Sequence, residues 1–429
     1  MPKFIVEGGH PLSGTIRPAG NKNAALPMLA ATLLTDEEVI LDNVPAIKDV
    51  RTLIELITHL GAETEWIGPN SVRVQARDVE VSDLDAEMAA RIRASILLAG
   101  PMLARAGRMV LPPPGGDVIG RRRVDTHFLA LSRLGAVVEA DHGYTLRTDG
   151  LRGADLFLDE PSVTATENAV MAASMAKGHT RIRNAAAEPH VQDLCRMLQG
   201  MGACVSGVGT NVLEFQGVDR LHGGRFRISS DHIEVGSFIG LAAVTAGEIL
   251  IEEAEPEHLD STLLAFERMG IRCEVRGRDL FVPANQDRLV RTDLGGHIPK
   301  IDDGPWPAFP ADLTSIALVV ATQCRGTILI HEKMFESRMF FADKVISMGA
   351  RIVLCDPHRA VVVGPSRLHA AVVESPDIRA GMALLIAALG AEGESHLFNI
   401  AQIERGYERI DERLRALGAR IIREDSRGD

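Results

Sequence analysis

Along the chain, the spacing of apolar positions changes in a regular rhythm. From Val50 to Leu60, the residues Leu53, Ile54, Ile57 and Leu60 recur at the three- and four-residue spacing of a helix with one apolar face. The triplet Leu60-Gly61-Ala62 follows, and then an extended stretch. The same context recurs at Leu134-Gly135-Ala136, Met201-Gly202-Ala203, Met269-Gly270-Ile271, Met348-Gly349-Ala350 and Leu417-Gly418-Ala419. Successive glycines of this set lie 74, 67, 68, 79 and 69 residues apart. Glycine adopts a left-handed conformation at little cost, so each is predicted to cap the C-terminus of a helix. A short strand is predicted after each, as at Ala350 to Leu354 and Ala419 to Ile422.

A second marker interleaves with the first. An Ala-rich helix, a turn and a strand rich in β-formers occur near Asp36, Gly107, Gly178, Gly247, Gly326 and Gly393. Examples are Asn168 to Lys177 before Thr180 to Arg183, and Ser237 to Ala246 before Glu248 to Ile251. Each unit of about 70 residues therefore holds two helices and several strands, and six units account for the 429 residues. Solenoid repeats are shorter, about 20–50 residues, so this period favours two globular domains of three units each. The midpoint falls near Ser229 to Asp231, where no Pro/Gly/Ser-rich linker separates the halves, so tight crossovers are expected.

Composition narrows the class. With 46% hydrophobic and 24% charged residues the chain reads as a folded globular protein. Aromatic residues make up 4%, so the core must be built from Ala, Val, Ile and Leu. A net charge of −12 excludes the broad basic face of a nucleic-acid binder, and no basic-aromatic pattern suited to stacking bases is present. Met1 to Gly14 lacks the cationic-then-apolar order of a signal segment, and no apolar run approaches 18 residues. A cytoplasmic protein with no membrane association is expected. The cysteines Cys195, Cys204, Cys273, Cys324 and Cys355 contain no CxxC pair, which argues against zinc and against a disulfide framework.

Several polar segments carry candidate chemistry. Gly20 to Pro27 puts Lys22 and Asn23 before an Ala-rich helix, whose N-terminus offers free N–H groups and partial positive charge. That combination suits an anion, and equally an ordinary helix start with a solvated lysine. Met88 to Ile96 carries Arg93, and Pro112 to His127 is a Gly/Pro-dense mobile loop running into Arg121-Arg122-Arg123. Asp159 to Asn168 offers Ser162 or Thr166 as a helix cap. Further on lie Ala308 to Asp312, Glu332 to Arg338, Asp377 to Ala380 and Ile403 to Arg409. Taken singly, each arginine reads as solvated surface and Asp312 as a helix cap.

Taken together, the repeat and these segments resemble the UDP-N-acetylglucosamine 1-carboxyvinyltransferase family, the enolpyruvyl transferases of peptidoglycan synthesis, from Phe4 to Arg423. The resemblance implies a two-domain inverse α/β barrel of six βαβαββ units. Residues 22–230 would form the domain that carries the mobile loop. Residues 1–21 and 231–429 would form the other, with the active cleft between them. It also implies transfer of the enolpyruvyl group of phosphoenolpyruvate to the 3′-hydroxyl of UDP-N-acetylglucosamine with release of phosphate. Lys22, Asn23, Arg122, Arg338, Arg379 and Arg405 would bind phosphoenolpyruvate. Arg93, Asp125, His127, Ser162, Val163, Asp312 and Met334 would bind the sugar nucleotide. The catalytic set would be Lys22, Asp117 and Asp312, with Asp312 as base for the 3′-hydroxyl.

With no metal-ligand cluster, no Walker loop and no GxGxxG after a strand, neither a metal nor another cofactor is expected, and no obligate protein partner is evident. The acidic chain would concentrate Lys22, Arg93, Arg122, Arg338, Arg379 and Arg405 around one small anion.

The chain departs from the family pattern at Leu97 (Trp in the family), Arg123 (Pro in many members), Glu160 (Lys in some), Thr164 (Gly) and Asp117. Most members carry Cys at the last position, the target of the thiol-alkylating antibiotic fosfomycin, so resistance is expected here. Ordinary pKa values are about 8.5 for Cys and about 3.9 for Asp. Asp117 would need burial or a nearby phosphate to hold a proton near neutrality. Two other readings stay open: a paralogue acting on another sugar nucleotide, and a catalytically inactive sugar-nucleotide-binding protein. A 3-phosphoshikimate 1-carboxyvinyltransferase would share the architecture and donor, but its Lys-Ser-rich first loop is absent from Gly20 to Pro27.

Overall fold

The computed structural model describes residues 2–79, 84–116, 120 and 122–425. All six repeat glycines have positive φ: Gly61 at 97°, Gly135 at 101°, Gly202 at 102°, Gly270 at 76°, Gly349 at 102° and Gly418 at 95°. They close the helices Lys48–His59, Asp125–Arg133, Pro189–Gly200, Asp260–Arg268, Ala342–Ser347 and Ile410–Ala416. The residue after each glycine donates its N–H back across the turn. Ala62 bonds to Ile57 O, Ala136 to Leu131 O, Ala203 to Leu198 O, Ile271 to Phe266 O, Ala350 to Val345 O, and Ala419 to Leu414 O. This is the six-to-one bond of a Schellman motif, formed six times.

The strands that follow include Ile352–Asp356 and Arg420–Glu424. They begin one or two residues later than the apolar pattern predicts. The N–H groups of Ala350 and Ala419 are committed to the helix cap and cannot enter a strand ladder.

Each repeat also has an inner helix, and these differ in kind. The helices Lys22–Ala31, Ala99–Ala106, Val163–Met175, His232–Thr245, Thr314–Thr322 and Ile378–Gly390 are rich in Ala and largely buried. Ala99–Ala106 is preceded by a 3₁₀ segment, Arg93–Leu98. A helix apolar all round is stable only inside a core. Two glycines make one close approach possible. A Cβ at Gly236 would lie 2.5 Å from Leu313, and one at Gly240 would lie 2.5 Å from Ile316.

The chain forms two compact units. One comprises residues 20–116 and 122–229, the other residues 2–19 and 230–425. Each holds three sheets and its own core of mainly aliphatic side chains. Five sheets have four strands, with one parallel edge pair and two antiparallel pairs. One example orders Gly224–Arg227, Glu38–Asp42, Ser71–Gln75 and Glu63–Gly68. The sixth, Arg108–Leu111, Tyr144–Arg147 and Val137–Ala140, has three strands among the described residues. The strand Lys3–Gly8 lies between Gly393–Phe398 and Arg420–Glu424, and so stitches the start of the chain to its last repeat. This is the six-unit α/β architecture that the periodicity predicts. Among the described residues, no helix is long and apolar enough to cross a membrane.

The glycine caps can be tested one at a time. A Cβ at Gly418 would meet nothing within 4 Å, so Gly418→Ala isolates the conformational cost and should lose about 1 kcal/mol in denaturant unfolding. A Cβ at Gly270 would lie 2.5 Å from the Leu289 backbone nitrogen, so Gly270→Ala should lose distinctly more. Equal losses would show that the close approach at Gly270 adds nothing, and no loss at Gly418 would show that backbone handedness is not what these positions require.

Candidate active site

Lys22, Asn23, Ser162, Val163 and Arg379 stand at the N-terminal ends of inner helices, where free N–H groups and a partial positive charge collect. In the unit spanning 20–229, Asn21 caps the first helix. Its Oδ1 accepts the N–H groups of Asn23 at 2.9 Å and Ala24 at 3.3 Å. Lys22 is the first helical residue and only 8% exposed. Its Nζ lies 2.8 Å from Oδ2 of Asp49, itself buried in the first turn of the next helix. Lys22 is therefore a buried, paired cation and not a solvated one. Nothing local in the sequence points to Asp49, because the pair joins two helices.

Arg93 begins the 3₁₀ segment, and its Nη2 donates to the carbonyls of Arg122 and Arg123, each at 2.8 Å. Burial, and then the Arg122 charge beside it, push its pKa down to about 10, so it stays a cation at neutral pH. Arg122 is half-buried. Asp125 is exposed and pairs with Arg123 Nε at 3.3 Å, while Arg123 Nη2 reaches Asp159 at 2.9 Å. Ser162 is the cap of the helix Val163–Met175, with its Oγ accepting from Ala165 N, and Val163 is half-buried. Asp117 lies outside the described residues.

His127 is fully buried. Asn168 Oδ1 accepts the Gly100 N–H at 2.8 Å, which turns the Asn168 amide nitrogen toward Ile96 O and His127 Nδ1, both at 2.8 Å. Nδ1 must then accept, so the ring proton sits on Nε2 and donates to Thr164 Oγ1 at 3.1 Å. Burial, and then the Arg93 charge, push the His127 pKa down to about 3. The ring is a neutral internal brace with both nitrogens engaged.

The unit spanning 230–425 brings Asp312, Arg338 and Arg379 together. Arg338 and Arg379 are 4% and 5% exposed. Arg338 Nη1 donates to Asp312 Oδ1 at 2.9 Å and to Ala311 O at 3.0 Å. Arg379 Nε donates to Asp312 Oδ2 at 2.9 Å, and its Nη2 lies 2.9 Å from the same oxygen. Burial pushes the Asp312 carboxyl up, but the Arg379 and Arg338 guanidiniums hold it well below the usual carboxylate range. Arg379 Nη1 is buried and has no hydrogen-bond partner among the described residues. Asp377 caps the Ile378–Gly390 helix through Arg379 N at 2.8 Å and Ala380 N at 3.0 Å. Met334 is exposed on the turn that leads to Arg338. Arg405 is half-buried, and its Nη1 donates to Gln402 at 2.9 Å.

Sequence reasoning missed Asp231. It caps the His232–Thr245 helix, and burial pushes its pKa up to about 6 against the pull of Arg379. Among the described residues, no group of His, Cys, Asp and Glu could hold a metal ion.

The fold is an enolpyruvyl-transferase architecture. It is shared with the enolpyruvyl transferase NikO from Streptomyces tendae (TM-score 0.87, 24% identity, 98% of each chain). It is also shared with the EPSP synthase of Acinetobacter baumannii (TM-score 0.76, 16% identity, 99% of this chain and 100% of that one). The EPSP synthase (3-phosphoshikimate 1-carboxyvinyltransferase) family model matches residues 6–414. The chain is 61% identical, over 98% of both chains, to the UDP-N-acetylglucosamine 1-carboxyvinyltransferase of Bradyrhizobium diazoefficiens. It is 57% identical to the enzyme of the same name from Treponema denticola, over 98% of this chain and 99% of that one. The chain belongs to this family, and within it to the branch of the UDP-N-acetylglucosamine 1-carboxyvinyltransferases.

The His127 arrangement makes a pH prediction. The unfolded chain takes up a proton on this histidine below about pH 6.5, whereas the folded chain resists until about pH 3. Folding stability therefore falls on acidification through that window, by up to about 1.4 kcal/mol per pH unit from this group. The ring resonances of His127 should hold still from pH 7 to pH 4.5 in NMR titration. A midpoint near 6.5 would contradict the buried neutral ring.

Proposed function

We propose that this chain transfers the enolpyruvyl group of phosphoenolpyruvate to the 3′-hydroxyl of UDP-N-acetylglucosamine and releases phosphate, the first committed step of peptidoglycan synthesis. The observation that carries the reading is the Asp312 carboxylate held between two buried guanidiniums, one of which keeps a buried N–H group unpartnered. Two cations on one carboxylate, with a donor to spare, suit an anionic substrate. The relatives at 57–61% identity carry the same activity in their names.

The donor has two anionic ends. Lys22, Arg122 and Arg405 would hold the phosphate, with Asn23 beside them, and Arg338 and Arg379 would hold the carboxylate. Arg93, Asp125, Ser162, Val163 and Met334 would meet the sugar nucleotide. His127 would act from behind, by fixing Thr164 in the first turn of its helix.

In the addition step, C3 of the donor gains a proton and the sugar 3′-oxygen bonds to C2, its proton passing to Asp312. In the elimination step, C3 loses a proton and the C2–O bond to phosphate breaks, restoring the double bond. Fixed cations stabilise the charge that develops as phosphate leaves. Asp312 is a weak base while both guanidiniums hold it. A donor carboxylate on those guanidiniums shares their charge and raises the proton affinity of Asp312 when the acceptor is present. Asp117 would act on the phosphate side as the proton carrier, the role that the family pattern gives to a cysteine.

Phosphate release from phosphoenolpyruvate should depend on UDP-N-acetylglucosamine. Asp312→Asn should lower kcat by about 10²–10⁴-fold. Release with shikimate 3-phosphate or another sugar nucleotide in its place would redirect the reading, and no release with any acceptor would favour a binding protein.

Asp117 allows a separate check. Intact-protein mass after fosfomycin treatment should be unchanged in the natural chain and gain one adduct in Asp117→Cys. As pH rises, the natural chain should lose activity at a lower pH than Asp117→Cys. Superimposable profiles would remove Asp117 from the proton path.

A further inference from the structure

Glu332 and Asp303 form a buried carboxyl pair behind Arg338 that the reaction as described does not use. Both side chains have 0% exposure. They anchor the turn that runs from Lys333 to Arg338. Asp303 Oδ1 accepts the Lys333 N–H and its Oδ2 accepts the Met334 N–H at 3.3 Å. Glu332 Oε1 accepts the Phe335 N–H at 3.2 Å.

Glu332 Oε2 is buried and has no hydrogen-bond partner among the described residues. A carboxylate oxygen buried without a donor is costly to charge, which favours the protonated form. Both Asp303 oxygens accept backbone N–H groups and this Glu332 oxygen accepts none, so a proton at this place belongs on Glu332. Burial, together with the Asp303 carboxyl and against the pull of Arg338, pushes Glu332 up to about 9.

The groups facing Glu332 fit this. Its Oε2 lies 3.9 Å from Arg338 Nε, too far for a hydrogen bond, and that Nε has no partner among the described residues. His358 Nδ1–H donates to the Glu332 carbonyl at 2.8 Å. Asp312 and Asp377 act on the same guanidinium from the other side.

We infer that Glu332 is a positioning residue that works as a neutral carboxylic acid, and so leaves the Arg338 guanidinium to Asp312 and to the anionic donor. The inference rests on the proposed role of Arg338 in holding the donor carboxylate. An ionised Glu332 would add a negative charge to the carboxylates that already face Arg338, draw Arg338 Nε toward itself and oppose an anionic substrate.

The natural chain and Glu332→Gln separate this from a merely structural role. The glutamine keeps the shape and neutrality but cannot ionise. In the infrared difference spectrum of the two proteins without substrate, the natural chain should show a protonated-carboxyl stretch at pH 7 that fades through about pH 9. In steady-state kinetics, Glu332→Gln should keep the neutral-pH KM for phosphoenolpyruvate. The natural chain's KM should rise severalfold between pH 8 and pH 10, and that of Glu332→Gln should not. No carboxyl stretch at pH 7, or the same KM profile in both proteins, would overturn the inference. If instead the stretch is present and Arg338→Ala leaves the KM for phosphoenolpyruvate unchanged, the proposed role of Arg338 fails and Glu332 has no donor site to serve.

Discussion

The N–H groups in the first turn of a helix have no partner within the helix, and in this protein the inner helices are buried. That constraint organises the fold and the site together. Asn21, Ser162, Asp231 and Asp377 each turn a side-chain oxygen onto those N–H groups. Some of the residues proposed to act stand beside these caps: Lys22 and Asn23, Val163, and Arg379. Because the inner helix recurs in every repeat, the repeat delivers a functional side chain to an equivalent place again and again. The helix ends also supply partial positive charge, which lets a chain of net charge −12 present several anion-binding positions.

Burying cations for that purpose is costly. Lys22 with Asp49, and Arg338 and Arg379 with Asp312, are removed from most water contact. Such pairs add little net stability, because desolvation offsets their attraction, while removing one partner costs about 3–5 kcal/mol. Apolar side chains of similar size would stabilise the same positions as well or better. The persistence of these charges is thus better explained by what they bind and orient than by what they add to folding. Glu332 follows the same logic from the opposite side, since a proton held there avoids an uncompensated anion next to Arg338.

The repeat was legible in the sequence because its signals are local. A helical apolar face ending in Leu or Met and then Gly is a cap whatever the rest of the chain does, and all six caps form. Strand starts were displaced by a residue or two because apolar patterning does not register which N–H groups the cap takes. The site was legible only in part. The motifs point to Lys22, Asp312, Arg338 and Arg379 but not to Asp49, Asp303, Glu332 or Asn168, whose roles come from contacts between elements far apart in the chain. Nor does any pattern around His127 separate a ligand-facing ring from one with both nitrogens engaged.

One departure from the family pattern gains a physical meaning from that ring. Thr164 stands where the family pattern has glycine, and its hydroxyl accepts the His127 Nε2–H at 3.1 Å. Asn168 already fixes the tautomer from the other side, so the Nε2 proton has to be donated somewhere. A glycine at 164 offers no side-chain acceptor, and the same proton would then require a water or a ligand oxygen, since a buried donor left unpaired costs about 1–3 kcal/mol. With threonine in place the demand is met inside the protein. The substitution thus turns His127 from a group that needs an external partner into a fixed support for the first turn of the Val163–Met175 helix, where the sugar nucleotide is proposed to bind.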